Sequence, residues 1–185
     1  MASTALKTED EKREYFDEPE VLEEKINRLA ELVRNSNNMA AFTGAGLSTA
    51  AGIPDYRSGA NTVVETGAGC WEKAANIQKA RREGKLYQEQ TKVNFKTAIQ
   101  QAYPTKAHMA LKELMDRGIL KTVISQNVDG LHRKSGIPSG QIYELHGNTN
   151  LEVCQKCGKD YMRDFRVREA QKNFDHKTSR VCDNS

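Results

Sequence analysis

The chain has 185 residues, 37% hydrophobic and 29% charged, which is enough for one sizeable domain with a core or for a domain plus a small module. A net charge of +3 is too mild to indicate nucleic-acid binding, and no apolar run approaches the ~18 residues of a transmembrane helix. Four cysteines, in a chain whose N-terminus lacks the apolar core of a secretory signal, favour metal binding in a reducing, intracellular compartment over disulfides.

The first third of the chain predicts one helix and one strand before a glycine turn. Residues 1–17 are charged and predict a flexible lead-in. Residues 18–34 predict a helix, because a proline and acidic residues occupy the first turn and apolar residues follow at helical spacing. A short buried strand is predicted at 39–43, a turn at 44–46 and a turn and a half of helix at 47–51. The apolar residues of the first helix are Leu22, Ile26, Leu29 and Val33.

The middle of the chain predicts a loop followed by three helices and two strands. Residues 58–70 are rich in Gly, Thr and Asn and predict a mobile loop, and helices are predicted at 71–82 and 88–101. Thr105 is typical of an N-cap and Gly118 of a helix end, so a helix is predicted between them. Its predicted inner face consists of Ala107, Ala110, Leu111 and Leu114. Buried strands are predicted at 120–125 and 142–145, which makes the chain an α/β protein.

The glycine turn permits two kinds of nucleotide site. Gly44-x-Gly46 matches the start of a dinucleotide-binding fingerprint, with Thr49 where the third glycine belongs and Glu65 at the distance of a ribose ligand. Pro54 contradicts a dehydrogenase, because it stops the helix long before a full crossover. The better interpretation is a turn whose amides hold a pyrophosphate at a short helix, followed by a loop that carries Asp55 and Arg57 over the ligand.

Two further motifs place polar side chains directly after predicted strands. In VISQNVDGLHRKSG, the carboxamides of Gln126 and Asn127 and the carboxylate of Asp129 follow the strand at 120–125. In YELHGN, His146 follows the strand at 142–145. Ligands of open α/β sheets bind beyond the carboxyl ends of strands, and these groups suit the hydroxyls and carboxamide of nicotinamide riboside.

The metal motif lies in a third, smaller part of the chain. Cys154-x2-Cys157 predicts a zinc knuckle, since two thiolates on a tight turn suit tetrahedral zinc. Cys182 is a third candidate ligand, with 24 residues between it and Cys157. Cys70 is remote, and His176 is the other nearby candidate, although a solvated surface histidine is its more common role. The segment 151–185 is therefore predicted to be a small, incomplete zinc-binding module.

GAGLSTAAGIPDYR, SQNVDGLH, ELHGN and CQKC, in this order, resemble the sirtuin family of NAD-dependent protein deacylases, and the resemblance runs from about Glu18 to Cys182. It implies a Rossmann-like parallel sheet over 18–150, incomplete in this chain, beside a zinc module with one structural ion. NAD is then a consumed co-substrate, and an acyl-lysine protein or peptide, in some relatives a histone, is the other substrate. SQNVDGLHRKSG and ELHGN resemble the nuclear, chromatin-linked branch most, so a nuclear location is expected, with the cytoplasm as the alternative.

The resemblance also implies a role for each matching residue. His146 is the expected general base: it helps a ribose hydroxyl attack the acyl group, which yields free lysine and O-acyl-ADP-ribose. Its ring can be neutral at pH 7, and burial is expected to keep it so. The expected NAD contacts are Ala45, Gly46, Ser48 and Thr49 at the phosphates, Asp55, Tyr56 and Arg57 over the ligand, Gln126 at the nicotinamide ribose, and Asn127 and Asp129 at the nicotinamide.

Departures from the family pattern leave alternatives open. Trp71 comes fourteen residues after Arg57, which implies an insertion in the lid and leaves Trp71 without an assigned role. The second zinc pair and the remaining strands of the family are expected beyond Ser185. The chain alone is therefore expected to fold poorly and to be inactive. A catalytically silent NAD or ADP-ribose sensor, or an ADP-ribosyltransferase, remains the alternative function.

Overall fold

A three-stranded parallel sheet organises the larger part of the molecule. The computed structural model describes residues 8–58, 64, 66–87, 99–167, 177–178 and 180–184. Its central strand is β2 (Leu120–Ser125), flanked by β1 (Met39–Thr43) and β3 (Ile142–Glu144). Thr43 pairs with Ser125, and Ser125 pairs with Glu144. The three strands therefore end in register, and the segments that follow them leave the sheet at one edge, as predicted.

Most predicted helices are confirmed. The helix expected over 18–34 is Pro19–Arg34, and the short helix after the glycine turn is a 3-10 helix over Ala45–Ala51. The helix predicted at 88–101 lies mostly outside the described residues. Its described part, Ile99–Gln101, forms a 3-10 turn. Residues 59–63 and 65 of the predicted mobile loop also lie outside the described residues. The α-helices are α1 (Glu9–Lys12), α2 (Pro19–Arg34), α3 (Cys70–Arg82), α4 (Lys106–Asp116) and α5 (Leu131–Lys134), and a further 3-10 turn spans Ser139–Gln141.

Local sequence explains where these helices start. Thr8 caps α1 inside the segment expected to be a flexible lead-in, and Glu11 completes a capping box. Thr105 caps α4 as predicted, with His108 as the reciprocal partner. Gly118 has a φ of +71° just after α4, which is the left-handed conformation typical of a glycine that ends a helix.

The inner face of α4 differs from the prediction. Ala107 and Ala110 are exposed, whereas His108 and Met115 are buried. The stripe is rotated because a histidine, read from sequence as polar, occupies a buried position on the helix. Leu111 and Leu114 do pack as predicted. The core that they join consists of Met115, Leu120, Val123, Ile137 and Ile142.

The opposite face of the sheet and the apolar side of α2 are exposed. Phe42 on β1 and Tyr143 on β3 are both more than half exposed. The helix α2 has the predicted apolar spacing, yet none of its residues is buried. Among the described residues, no helix combines the length and apolar character needed to cross a bilayer.

A small antiparallel hairpin follows the sheet. Its strands are β4 (Leu151–Val153) and β5 (Asp160–Met162). The connection between them contains Cys154 and Cys157, and Gly158 takes a φ of +72° to close the turn. We call this hairpin, together with residues 177–178 and 180–184, the cysteine module.

Candidate functional site

Side-chain hydrogen bonds join the glycine turn to the segment after β2. The Asn127 Nδ2 group donates to the Gly44 carbonyl at 2.9 Å. The Ser48 hydroxyl donates to Asp129 Oδ2 at 2.6 Å. Ser48, Asn127 and Asp129 are all buried. Four residues predicted from two distant motifs are therefore in direct contact, at the edge where the parallel strands end.

The segment after β2 is held in shape by its own polar side chains. The second oxygen of Asp129 accepts from the Leu131 amide at 2.9 Å, so the carboxylate also caps the start of α5. Ser125 Oγ accepts from the Asn127 amide at 3.1 Å. Gln126 is exposed, and its backbone amide donates to the Thr43 carbonyl. Asn127 and Asp129 thus have structural partners, whereas the Gln126 side chain faces solvent.

The glycine turn leaves open space above its backbone. A Cβ atom added at Gly44 or at Gly46 would meet no atom within 4 Å. Thr49 closes the turn by donating from its hydroxyl to the Gly46 carbonyl at 2.9 Å. Gly52 then ends the 3-10 helix with a φ of +83°, two residues before Pro54. The short helix predicted from Pro54 is confirmed, and the turn has room for a ligand against its backbone.

The loop predicted to cover the ligand is joined to the start of α3. The Asp55 carboxylate accepts hydrogen bonds from the amide and hydroxyl groups of Ser58. The centroids of the Trp71 and Tyr56 rings lie 5.1 Å apart. The Arg57 guanidinium lies over the Trp71 ring, 5.2 Å from its centroid. Gly69 comes so close to this loop that a Cβ there would lie 2.4 Å from the Tyr56 carbonyl carbon. Trp71, which had no assigned role, therefore supports two of the three predicted lid residues.

A buried layer of two histidines, not predicted from the sequence, lies behind the glycine turn. Thr43 Oγ1 and His132 Nε2 are 2.8 Å apart, and the His132 ring meets the His108 ring edge-on at 4.7 Å. His108 Nδ1 accepts from the Thr105 amide, and the Thr105 hydroxyl donates to the Leu47 carbonyl. Burial lowers the pKa of His108, and it lowers the pKa of His132 to about 4. Both rings are neutral at pH 7 and connect α4 and α5 to the turn.

One signal in the sequence points to this layer. His132 belongs to the SQNVDGLH motif, and His108 lies three residues before Leu111 and seven before Met115 on the inner face of α4. The sequence did not predict the two histidines as core residues, because a search for apolar residues at helical spacing does not count a polar residue at a core position. Their free ring nitrogens, His108 Nε2 and His132 Nδ1, have no partner among the described residues.

His146 lies at the same strand edge, beside a cavity that it shares with the cysteine module. It follows β3 in the turn that starts where the Leu145 amide donates to the Ser125 carbonyl. The expected burial of His146 is wrong, because the residue is exposed. His146, Gly147 and Asn148 line a cavity of about 700 Å³ together with residues of the cysteine module, such as Glu152 and Tyr161, and with Arg163 and Val167.

Three cysteines come together in the cysteine module as predicted. The sulfur atoms of Cys154, Cys157 and Cys182 all lie within 4.8 Å of one another. Ligands of one tetrahedral zinc, with Zn–S bonds near 2.3 Å, lie about 3.8 Å apart, so the donor set fits zinc after small adjustments. Cys70 lies apart, exposed at the start of α3. The weaker candidate His176 lies outside the described residues.

Polar contacts hold the cysteines in place. The backbone amides of Cys157 and Lys156 lower the pKa of the Cys154 thiol to about 7, which favours the thiolate that binds metal. Tyr161 Oη lies 3.1 Å from Cys182 Sγ and accepts from the Asp183 amide, which leaves its own hydrogen for the sulfur. Arg163 and Arg180 pair with the two oxygens of Glu152 at 2.7 and 2.8 Å. These contacts bring residue 182 back to the hairpin.

Comparison with known proteins identifies relatives over most of the chain. The family model described as "Sir2 family" matches residues 44–184. The Arabidopsis thaliana NAD-dependent protein deacetylase SRT1 is 44% identical over 154 residues, 83% of this chain and 28% of that protein. The human NAD-dependent protein deacetylase sirtuin-7 is 39% identical over 171 residues, 91% of this chain and 37% of that protein. The chain thus spans well under half the length of these relatives.

Solved structures of Sir2 proteins also align with the chain. One, titled as the structural basis for the mechanism and regulation of Sir2 enzymes, is 32% identical and covers 76% of this chain and 53% of its own, with a TM-score of 0.48. A Sir2 structure with a p53 peptide and NAD+ is 28% identical and covers 79% of this chain and 60% of its own, with a TM-score of 0.46.

Proposed function

The chain belongs to the Sir2 family. We therefore propose that it binds NAD at the carboxyl edge of its sheet and functions as an NAD-dependent protein-lysine deacylase, or as part of one. The observation that carries the proposal is the contact between two motifs: Ser48 and Gly44 of the glycine turn bond to Asp129 and Asn127 after β2. A pocket that binds both phosphates and nicotinamide needs these two segments side by side, and they are.

We assign the phosphates of NAD to the glycine turn. The open space above Gly44 and Gly46 supports this assignment, because a phosphate can approach a backbone that has no Cβ. Ala45, Gly46, Ser48 and Thr49 are the proposed phosphate-binding residues. The buried Ser48 hydroxyl already donates to Asp129, so its role is to fix the turn against the next segment while backbone amides hold the anion.

The lid residues and the polar residues after β2 are assigned to the rest of the ligand. Asp55 fixes the loop by accepting from Ser58, while the exposed Tyr56 and Arg57 pack against Trp71 at its surface and are proposed to cover NAD. Gln126 has an exposed side chain that suits a ribose hydroxyl. Asn127 and Asp129 are proposed to form the wall of the nicotinamide pocket, held by their bonds to Gly44 and Leu131.

His146 is the proposed general base. When bound, NAD supplies an electrophilic ribose carbon that accepts the acyl oxygen of a substrate lysine as nicotinamide leaves. His146 then takes the proton of a ribose hydroxyl, a group that can reach an imidazole exposed at the strand edge. The 700 Å³ cavity beside it offers space for an acyl-lysine side chain between the sheet and the cysteine module.

Zinc is proposed to stabilise the cysteine module without taking part in the chemistry. The three sulfur atoms fit one tetrahedral ion, and the residues around them hold the hairpin and residue 182 together. The substrate class is an acyl-lysine protein or peptide. We extend the proposal to histones and to a nuclear location because of the likeness of SQNVDGLHRKSG and ELHGN to the chromatin-linked branch.

The test is nicotinamide release from NAD, measured with and without an acetyl-lysine peptide. Peptide-dependent release, with O-acetyl-ADP-ribose as a product, supports the deacylase. Saturable NAD binding without release would instead indicate a silent sensor. Transfer of label from NAD to protein would indicate an ADP-ribosyltransferase. The same assay on the longer protein, if this chain is a piece of one, separates loss of activity from loss of the site.

A further inference from the structure

One arginine connects α5 to the strand before His146 and to the hairpin of the cysteine module. Arg133, in α5, donates from Nε to Glu144 Oε2 at 2.7 Å, and from Nη1 to Asp160 Oδ2 at 3.2 Å. The same Nη1 donates to Ser139 Oγ at 2.7 Å, and that hydroxyl donates in turn to Asp160. The Arg133 side chain is 14% exposed and that of Glu144 is 8% exposed. This is a partly buried network with one cation between two carboxylates.

The Glu144 end of the network holds the turn that contains His146. The second carboxylate oxygen of Glu144 accepts from Asn148 Nδ2 at 2.6 Å. The Glu144 carbonyl accepts from the Gly147 amide at 3.0 Å. Asn148 Oδ1 accepts from the Asn150 amide at 2.8 Å. The Glu144 side chain therefore links the residues before and after His146, and its carboxylate is held in position by the Arg133 guanidinium.

The Asp160 end of the network belongs to the cysteine module. Asp160 begins β5 and pairs with Val153, the residue before Cys154. The Cys154 amide donates to the Lys159 carbonyl at 3.0 Å, directly before Asp160. Gly130, at the start of α5, also packs on this hairpin: a Cβ there would lie 2.7 Å from Met162 Cε and 3.3 Å from the Asn148 amide. The start of α5 is therefore in contact with the Asn148 side chain and with the end of the Met162 side chain on the hairpin.

We propose that Arg133 is a positioning residue that couples metal binding at Cys154 and Cys157 to the geometry of the His146 turn. Metal fixes the hairpin, the hairpin fixes Asp160, and Arg133 passes that constraint to Glu144. Loss of Arg133 leaves the nearly buried Glu144 carboxylate without its cation, which drives the carboxylate outward and releases Asn148. The inference rests on the proposed role of His146, but it concerns the shape of the turn and applies even without turnover.

The experiment follows the His146 ring by NMR in zinc-loaded and chelator-treated protein, with the signal assigned from a His146→Gln variant. In the wild-type chain, chelation should shift the His146 signal. In Arg133→Met, the signal should already be shifted with zinc bound, and chelation should add little. Arg133→Lys should fall between the two, because it keeps one charged donor. Arg117→Met is the matched control, since Arg117 pairs with Glu113 at 2.8 Å on the exposed side of α4.

A second variant covers the case in which Arg133→Met fails to fold. Asp160→Asn cuts the network at the hairpin while leaving the Arg133–Glu144 pair in place, so zinc should still bind but chelation should move the His146 signal clearly less than in wild type. A His146 signal that responds to chelation in Asp160→Asn as in wild type overturns the proposal. Because neither NAD nor peptide is present, this result is independent of deacylase activity. In active protein, Arg133→Met should lower kcat at least about tenfold with KM for NAD unchanged, as expected for a misplaced base.

Discussion

Ser48 donates a 2.6 Å hydrogen bond to Asp129, and this bond joins the glycine turn after β1 to the segment after β2. The two side chains are 1% and 5% exposed, so the bond is shielded from water. Asp129 uses its other oxygen to cap α5 at the Leu131 amide. One carboxylate therefore sets the relative position of the proposed phosphate site, the proposed nicotinamide wall and the helix that carries Arg133.

Asp129→Asn should impair exchange of free nicotinamide more than it impairs binding of ADP-ribose. Asparagine keeps the shape and the acceptor for Leu131, but it replaces the charged acceptor of the Ser48 hydroxyl with an amide group. The Ser48 hydroxyl can accept from that amide, so the turn stays joined to the segment after β2, and the main change is the lost negative charge at the pocket wall. Exchange of labelled nicotinamide and calorimetric binding of ADP-ribose measure the two effects. Equal losses for both ligands would show that Asp129 acts as a structural residue only.

His146→Ala should abolish deacylation and leave NAD binding and thermal stability unchanged. The loss of a general base lowers turnover by about 10²- to 10⁴-fold. Because His146 is exposed, its removal leaves no cavity in the core. Peptide-dependent nicotinamide release, NAD affinity and the melting temperature are measured on the same preparation. Equal turnover of the variant and wild type would remove His146 from the mechanism.

The stability of the fold should fall as the pH drops from about 6.5 to about 4. Burial, and then the neighbouring His108, lower the pKa of His132 to about 4, while Asp129 partly opposes them. In the unfolded chain His132 titrates near 6.5, so below that pH the unfolded state takes up a proton that the folded state does not. His132 alone can then cost up to about 3 kcal/mol of unfolding free energy by pH 4.

Urea unfolding at several pH values, in wild type and in His132→Gln, tests this pH dependence. Glutamine can reach Thr43 as Nε2 does but has no proton to gain, so the variant should show a flatter profile between pH 6.5 and 4. The buried His108 remains and gives a residual slope in the same direction, since its pKa is also lowered by burial. Parallel profiles for the two proteins would contradict the role given to His132.

The sequence predicted the parts of the fold that depend on short apolar runs and on turn chemistry. The strands predicted at 39–43, 120–125 and 142–145, the last of which ends one residue earlier at Glu144, and the stop before Pro54 follow from such local signals. The close approach of the three cysteines was also predicted, because a metal site restricts how a chain can bring its ligands together.

What could not be predicted depends on contacts between distant polar residues. The network of Arg133, Glu144 and Asp160 brings together three segments with no shared pattern, and each residue alone resembles a surface charge. The buried pair His108 and His132 could not be predicted for the same reason, because polar side chains become core residues only when a partner lies opposite. The exposure of His146 likewise depends on how the cysteine module packs.

Gly130→Ala should destabilise the chain more than Gly118→Ala does. Both glycines have a positive φ, +74° and +71°, so both substitutions cost about 1–2 kcal/mol of backbone strain. Only at Gly130 does the new methyl group also meet neighbours: the flexible end of Met162 at 2.7 Å, which can move aside, and the hydrogen-bonded side-chain amide of Asn148 at 3.3 Å. The difference between the two variants in urea unfolding therefore reports how firmly the Asn148 side chain is held against α5. Equal destabilisation would mean that this packing is loose in solution.

Zinc removal should unfold the cysteine module and lower the stability of the whole chain. The sulfur atoms of Cys154, Cys157 and Cys182 lie within 4.8 Å of one another, so loss of the ion removes three strong bonds and leaves weaker contacts, such as that between Tyr161 and Cys182. Structural zinc can contribute roughly 10–16 kcal/mol of apparent binding energy, comparable with the whole stability of a domain of about 5–15 kcal/mol.

Cys157→Ser should lose zinc and melt at lower temperature, as the chelator-treated wild type does. Cys70→Ser, which changes an exposed cysteine outside the cluster, should keep its zinc and its melting temperature. Metal analysis and thermal unfolding are measured on all three proteins. A Cys157→Ser protein that retains a full equivalent of zinc, or that melts with wild type, would contradict a metal site at this hairpin.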